Sequence, residues 1–268
     1  VFKILRINMS ILKNQEDIEK IKHSALILRS ALWQVEKNIK PGISACKLDK
    51  IVEEFIFDNK GRPSFKGLYG FPNTLITELN EEVVHGLSNE GKIIPENCVV
   101  SFDCGVEYQG LYSDMCILLS IGNITEEEKL LIQKTEESLW AGIKEVKAGK
   151  KTGDIGFAVN KVLEDAGLGN VLDLGGHGLG YKPHCDPHII HKGKKGRGNR
   201  LFENQVIAIE PMVTLGSGQV DFVADKKTGW EVVVSKERVT SAHIEHTLLV
   251  TKEGCEVITD IPEEKRIV

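Results

Sequence analysis

The chain has 268 residues, 41% of them hydrophobic and 27% charged, with a net charge of −5. That length can bury a sizeable core, and the composition is that of an ordinary globular protein. The negative balance argues against nucleic acid such as DNA as the main partner, because phosphate neutralisation needs a basic face, and no apolar run is long enough to cross a bilayer.

The opening, VFKILRINM, is too short and too interrupted for the apolar core of a signal peptide. It reads as an extension over residues 1–15, ahead of a first helix that begins near Asp17. Residues 32–48, LWQVEKNIKPGISACKL, then end one amphipathic helix, turn at a glycine and start another. Apolar periodicity continues through Leu48, Ile51, Val52, Phe55 and Ile56. Residues 139–155, LWAGIKEVKAGKKTGDI, repeat this pattern at an offset of 107. Leu32 matches Leu139, Trp33 matches Trp140, Lys37 matches Lys144, Lys40 matches Lys147 and Gly42 matches Gly149. The second copy runs on through Ile155, Val159, Val162 and Leu163. Two registered Leu-Trp pairs with a shared Gly turn are a poor fit to chance.

Strands are predicted at 83–87, 98–106 and 111–120 after the first helix pair. The last two form a hairpin with its turn near Glu107–Gly110. Folding it about that centre sets Asp103 opposite Asp114, with Cβ atoms about 4.5–5.5 Å apart. Two carboxylates so placed repel one another unless a cation lies between them. Their neighbours, Val99, Val100 and Phe102 on one side and Ile117, Leu118 and Leu119 on the other, imply a buried setting.

The second helix pair leads into DLGGHGLGYKPHCDPHIIHK at 173–192, which holds four of the eight histidines: His177, His184, His188 and His191. Spacing alone does not say which of them binds a metal. The basic stretch HKGKKGRGNR does not fit a phosphate-binding loop and is expected to be solvated. Strands follow at 205–214, 219–223, 231–235 and 243–251. Glu210 ends the apolar run VIAIEP, and Glu245 sits in HIEHTLLV on the face of Thr247 and Leu249. GSG at 216–218 is no nucleophile elbow, and there is no HExxH motif. The six cysteines (Cys46, Cys98, Cys104, Cys116, Cys185, Cys255) form no CxxC pair, which points to reduced thiols in a cytoplasmic protein. Cys185 has no second base beside it, so a cysteine nucleophile is not supported.

The expected architecture is one α+β domain over 16–268 with pseudo-twofold symmetry, its helices on one face of a largely antiparallel sheet. Ligands would lie on the other face, between the halves. Four acids and one glycine-flanked histidine, each on a buried-looking strand, are explained together as an oxygen-rich divalent metal site.

GGHGLG around His177, PHCDP around His184, IEPMV around Glu210 and EHTLLVT around Glu245 together resemble the methionine aminopeptidase family. The hairpin Asp103…Asp114 and NEEVVHG ending at His85 and Gly86 fit the same pattern, and the resemblance runs from about Glu16 to Thr251. It implies the two-fold pita-bread fold. Only 26 positions separate His184 from Glu210, which leaves no room for the helical insertion of type II members. With no zinc-binding extension at the N-terminus, the chain is similar to the bacterial type I enzymes.

The resemblance implies that Asp103, Asp114, His177, Glu210 and Glu245 hold two divalent ions, of cobalt, manganese, iron, zinc or nickel. Asp114 and Glu245 would bridge them, and Glu210 would also serve as general base for an activated water. His184 would support the scissile carbonyl and His85 the amide nitrogen. Phe71 and Trp230 would line a methionine pocket with Phe65 and Leu68, and Pro183 nearby. Leu68, Pro183, PHCDP and the MCILL after Asp114 depart from the family's usual residues, which bears on pocket shape. His23, His188, His191, His243 and His246 are expected to be structural.

The activity so implied is removal of the initiator methionine from nascent proteins with a small second residue, by a cytoplasmic monomer that contacts the ribosome and no membrane. Two alternatives are a proline-directed peptidase (Xaa-Pro aminopeptidase or prolidase) and a non-catalytic pita-bread binding protein. The former usually carry an extra N-terminal domain, and the latter have typically lost ligand positions.

Overall fold

The computed structural model describes residues 9–268. The first half contains α1 (Gln15–Asn38), α2 (Ala45–Asp58), β1 (Arg62–Pro63), β2 (Leu75–Leu79), β3 (Glu82–Val84), β4 (Cys98–Tyr108) and β5 (Leu111–Ile121). The second begins with α3 (Glu126–Ile143) and α4 (Thr152–Asp165), followed by β6 (Gly169–Asn170), β7 (Gly176–Gly178), β8 (Cys185–Ile189), β9 (Val206–Ile209) and β10 (Met212–Thr214). It closes with β11 (Val220–Ala224), β12 (Glu231–Ser235), β13 (Ser241–His243), β14 (His246–Val250) and β15 (Cys255–Val257).

The helix starts are set locally. Asn14 accepts a hydrogen bond from the Asp17 N–H, Ser44 from the Lys47 N–H, and Thr125 forms a capping box with Glu128. The repeat is structural. α2 and α4 begin and end at the same offset of 107, and each pair's turn closes at a glycine with positive φ, +84° at Gly42 and +92° at Gly149. Leu32 and Leu139 are both fully buried, each worth about 1.5–3 kcal/mol of burial. α1 and α2 pack on β2, β4 and β5 around Phe102, and α3 and α4 pack on β9 and β14 around Ile155 and Ile207.

Among the described residues every strand pairing is antiparallel. β4 lies between β2 and β5 and also meets β1, while the second half's main sheet runs β15-β14-β9-β7-β8. Several contacts join the halves, among them a strand pairing and a seam of hydrogen bonds. β3 pairs with β12 of the β11-β12 ribbon. At the seam itself the Glu245 N–H donates to the Cys116 carbonyl at 3.1 Å, and Thr247 Oγ1 accepts from the Asp114 N–H at 2.9 Å.

Several expectations need correction. The β4–β5 hairpin turns at Gln109–Gly110, so Tyr108 faces Leu111 and the register moves by two. Asp103 therefore faces Cys116, and Asp114 faces Gly105. An even shift keeps both carboxylates on one face, now as diagonal neighbours. The strand predicted over 205–214 breaks at Glu210 and Pro211, because proline has no N–H to give the ladder. That over 243–251 breaks at Ile244 and Glu245, where Glu245 turns to pair with Cys116.

Of the predicted N-terminal extension, residues 1–8 lie outside the described residues. Residues 9–14 dock on the second half: Leu12 is buried, the Val206 N–H donates to the Ser10 carbonyl at 2.7 Å, and the Leu12 N–H donates to that of Asn204.

Candidate active site

The seam brings together all eleven residues picked out from the sequence. Asp103 (β4) and Asp114 (β5) come from the first half. His177 (β7), Glu210 after β9 and Glu245 before β14 come from the second. Asp103, Asp114 and Glu245 offer ligand atoms within 4.8 Å of one another, and so do His177, Glu210 and Glu245. A third group joins Asp114, His177 and His184. Glycines flank His177 because the backbone leaves no room for anything larger. A Cβ at Gly176 would overlap the Ala208 carbonyl, and one at Gly178 that of Asp186. His177 Nδ1 lies 3.1 Å from the Gly178 carbonyl, which fixes the proton there and leaves Nε2 to face the acids. Nε2 is 3.5 Å from Glu210 Oε1 and 3.9 Å from both Asp114 Oδ2 and Glu245 Oε1.

The chemistry of this donor set calls for a cation. Burial, and then neighbouring carboxylates, raise the pKa values of Asp103, Glu210 and Glu245 well above the ordinary range. Burial pushes Asp114 up to about 7. Burial also lowers His177 to about 3, with His184 adding to the effect. Asp103 Oδ1, Asp114 Oδ1 and Glu245 Oε1 are buried with no hydrogen-bond partner among the described residues. Unpaired buried charge of this kind is costly unless a cation or protons neutralise it. Four carboxylates and a neutral imidazole fit divalent ions well.

An apolar cavity of about 270 Å³ opens beside the acids. Phe65, Leu68 and Phe71 line it from the first half and Trp230 from the second, whereas Pro183 does not. The Phe71 and Trp230 rings are 4.9 Å apart. Trp230 has a second task, since its indole Nε1–H donates to the His85 carbonyl at 3.0 Å. That bond holds His85 in a left-handed conformation, φ +64°, which is uncommon outside glycine. His85 is lowered to about 4, chiefly by burial, and His184 is lowered by the same cause. The two therefore stand as neutral imidazoles at the cavity. His184 lies 4.5 Å ring to ring from His177.

The cavity also takes in residues not anticipated from sequence. Ile76, Val84 and Met212 line it, and so does Tyr69, which is 81% exposed at the rim. Ile76 belongs to β2, whose LITEL carries no clean alternation because both faces are covered. Two of the histidines expected to be structural are also at the site. His188 and His243 line the cavity. His191, expected at or beside a strand, is completely buried, and the Glu210 N–H faces its Nε2 at 3.4 Å. Glu78, Cys116 and His243 form a further buried cluster behind Glu210.

Comparison with known proteins shows the family and the fold. The profile of metallopeptidase family M24 matches residues 19–252. The methionine aminopeptidase of Clostridium perfringens is 39% identical over 94% of this chain and 99% of its own length. That of Borreliella burgdorferi is 40% identical over 89% of this chain and 94% of its own. Among solved structures, a methionine aminopeptidase from Thermotoga maritima superposes with a TM-score of 0.89 at 36% identity, covering 94% of this chain and all of that one. A prolidase from Pyrococcus furiosus shares the fold, with a TM-score of 0.75 at 21% identity.

Proposed function

The chain belongs to metallopeptidase family M24 and, within it, to the methionine aminopeptidases; we propose that it removes the initiator methionine from new proteins, with the residues of the seam in the following roles. Asp103, Asp114, His177, Glu210 and Glu245 would hold two divalent ions, of cobalt, manganese, iron, zinc or nickel. Asp114 and Glu245 would be shared between them, a reading supported by the membership of Glu245 in two of the ligand groups. When bound, such ions supply Lewis acidity toward a carbonyl and lower the pKa of water.

The chain's own groups then do the rest. The apolar cavity between Phe65, Phe71 and Trp230 seats the methionine side chain, with Leu68 at one wall. Glu210 accepts the proton of the attacking water and passes it to the leaving amine. A neutral His184 donates a hydrogen bond to the carbonyl oxygen as negative charge develops there. His85, held by Trp230, contacts the scissile amide nitrogen. A small second residue, action on nascent chains at the ribosome, a cytoplasmic location and a monomeric state belong to the same proposal. If Lys194, Lys195 and Arg197 contribute the ribosome contact, neutralising them should weaken ribosome cosedimentation.

The observation that carries this reading is the opening of an apolar cavity directly onto a carboxylate cluster. The test is hydrolysis of Met-Ala-Ser, Met-Lys-Ser and Ala-Pro-Ser by metal-stripped protein resupplied with manganese, cobalt, iron or zinc. Metal-dependent release of methionine from Met-Ala-Ser alone is expected. Cleavage of Ala-Pro-Ser in its place would move the chain to the proline-directed branch, and no turnover with any metal would favour a binding role.

A further inference from the structure

Two histidines outside the proposed ligand set, His191 and His243, lie behind Glu210. His191 meets its backbone: the Glu210 N–H faces His191 Nε2 at 3.4 Å. His243 meets its side chain, with Nε2 3.7 Å from Glu210 Oε2. The other ring nitrogen of His243, Nδ1, lies 3.1 Å from Glu78 Oε2. His243 is 2% exposed and Glu78 2%, and His243 Nε2 has no hydrogen-bond partner among the described residues. The His243 backbone is fixed, because its N–H donates to Ser101 Oγ at 3.1 Å and its carbonyl accepts from Cys116 Sγ, and the ring is held through Nδ1 by Glu78.

From this geometry we infer that His243, anchored by Glu78, is a positioning residue that aims the Glu210 carboxylate. With Glu210 ionised, as a metal ligand must be, one arrangement is favoured at its side. A proton lies between Nδ1 and Glu78 whichever of the two carries it. A bare Nε2 lone pair would then face a carboxylate oxygen across 3.7 Å and repel it, whereas an Nε2–H attracts it. An Nε2–H that closed this 3.7 Å gap would hold one carboxylate oxygen, Oε2. Glu210 Oε1 is left facing His177, on the side where ligands and substrate meet. Such outer contacts fix the rotamer of a ligating carboxylate and with it the direction of its lone pairs. Glu78 lies on β2 and His243 on β13, so the device spans the two halves and depends on their docking.

This inference rests on the proposed role of Glu210, and the experiment separates the two. Four variants are compared with the parent: Glu210→Gln, His243→Ala, His243→Gln and Glu78→Gln. Kinetics on Met-Ala-Ser are measured together with Mn(II) affinity by calorimetry and with thermal unfolding. Glu210→Gln tests the underlying role and should abolish turnover; full activity in that variant would sink the proposed function itself. With Glu210 shown to be needed, His243→Ala should lower kcat and Mn(II) affinity, each about 10–100-fold, while KM changes little.

His243→Gln restores an N–H near the Nε2 position and should recover most of both losses, which simple loss of packing would not do. Glu78→Gln should fall between the two. Parent-like kcat and Mn(II) affinity in His243→Ala would overturn the inference. Equal losses in His243→Ala and His243→Gln would do the same. So would a third tightly held zinc ion that His243→Ala releases, since Glu78, Cys116 and His243 would then be binding an ion of their own.

Discussion

Metal uptake by this protein should expel the protons that its buried acids hold. Burial pushes Asp114 up to about 7 when no ion is present, and it is only 3% exposed. A ligating carboxylate must be ionised, so each ion that binds has to displace the protons the acids hold. At about pH 6 Asp114 alone carries about 0.9 proton, and at about pH 8 about 0.1. Asp103, Glu210 and Glu245 are raised as well and add to the release.

The sign is fixed by these raised values. Metal affinity is fully present above them and is lost as pH falls. From Asp114 alone the loss is about tenfold per pH unit below about 7, or about 1.4 kcal/mol. Stability of the metal-free fold runs the opposite way for this group: it is greatest below the ordinary value of 3.8 and declines as pH rises through about 7. The assay is calorimetric titration of Mn(II) into stripped protein, in two buffers of different ionisation enthalpy. The slope of observed against buffer enthalpy counts protons. A slope of at least about one near pH 6 is expected. A slope of zero there would refute the reasoning, because the acids would then already be ionised without a cation.

Three further outcomes follow from the same contacts. Asp103→Asn should abolish metal-dependent hydrolysis yet raise the melting temperature in chelator, by about 2–4 °C for each kcal/mol of repulsion removed; a lower melting temperature would show that the carboxylates do not repel. Trp230→Ala removes both a pocket wall and the donor to the His85 carbonyl, so KM for Met-Ala-Ser should rise about tenfold or more and kcat should fall with it; a change in KM alone would separate His85 from its indole partner. Gly178→Ala forces a methyl against the Asp186 carbonyl and should cost about 1–3 kcal/mol in urea unfolding, whereas Gly91→Ala, where the nearest group is a side-chain oxygen at 3.5 Å, should cost little.

Much of this protein was legible in its residues alone. Helix periodicity, capping side chains and a Gly turn are local properties, so the repeat at offset 107 could be read, and α2 and α4 keep it to the residue. The ligand types and their order along the chain were equally visible, because each acid interrupts an apolar strand. Tertiary structure decided what depends on how the strands meet. The turn at Gln109–Gly110 set the register that makes Asp103 and Asp114 diagonal neighbours, a two-residue shift the alternating pattern cannot register because both versions keep the same face. Docking of the halves carried His243 and Glu78 to opposite sides of one hydrogen bond although they lie 165 positions apart. Docking also placed Trp230 over Phe71 and brought its indole to the His85 carbonyl. Sequence reports which side chains a segment carries; only the packing of segments remote in the chain fixes the separations of a few ångströms on which ligation and proton transfer depend.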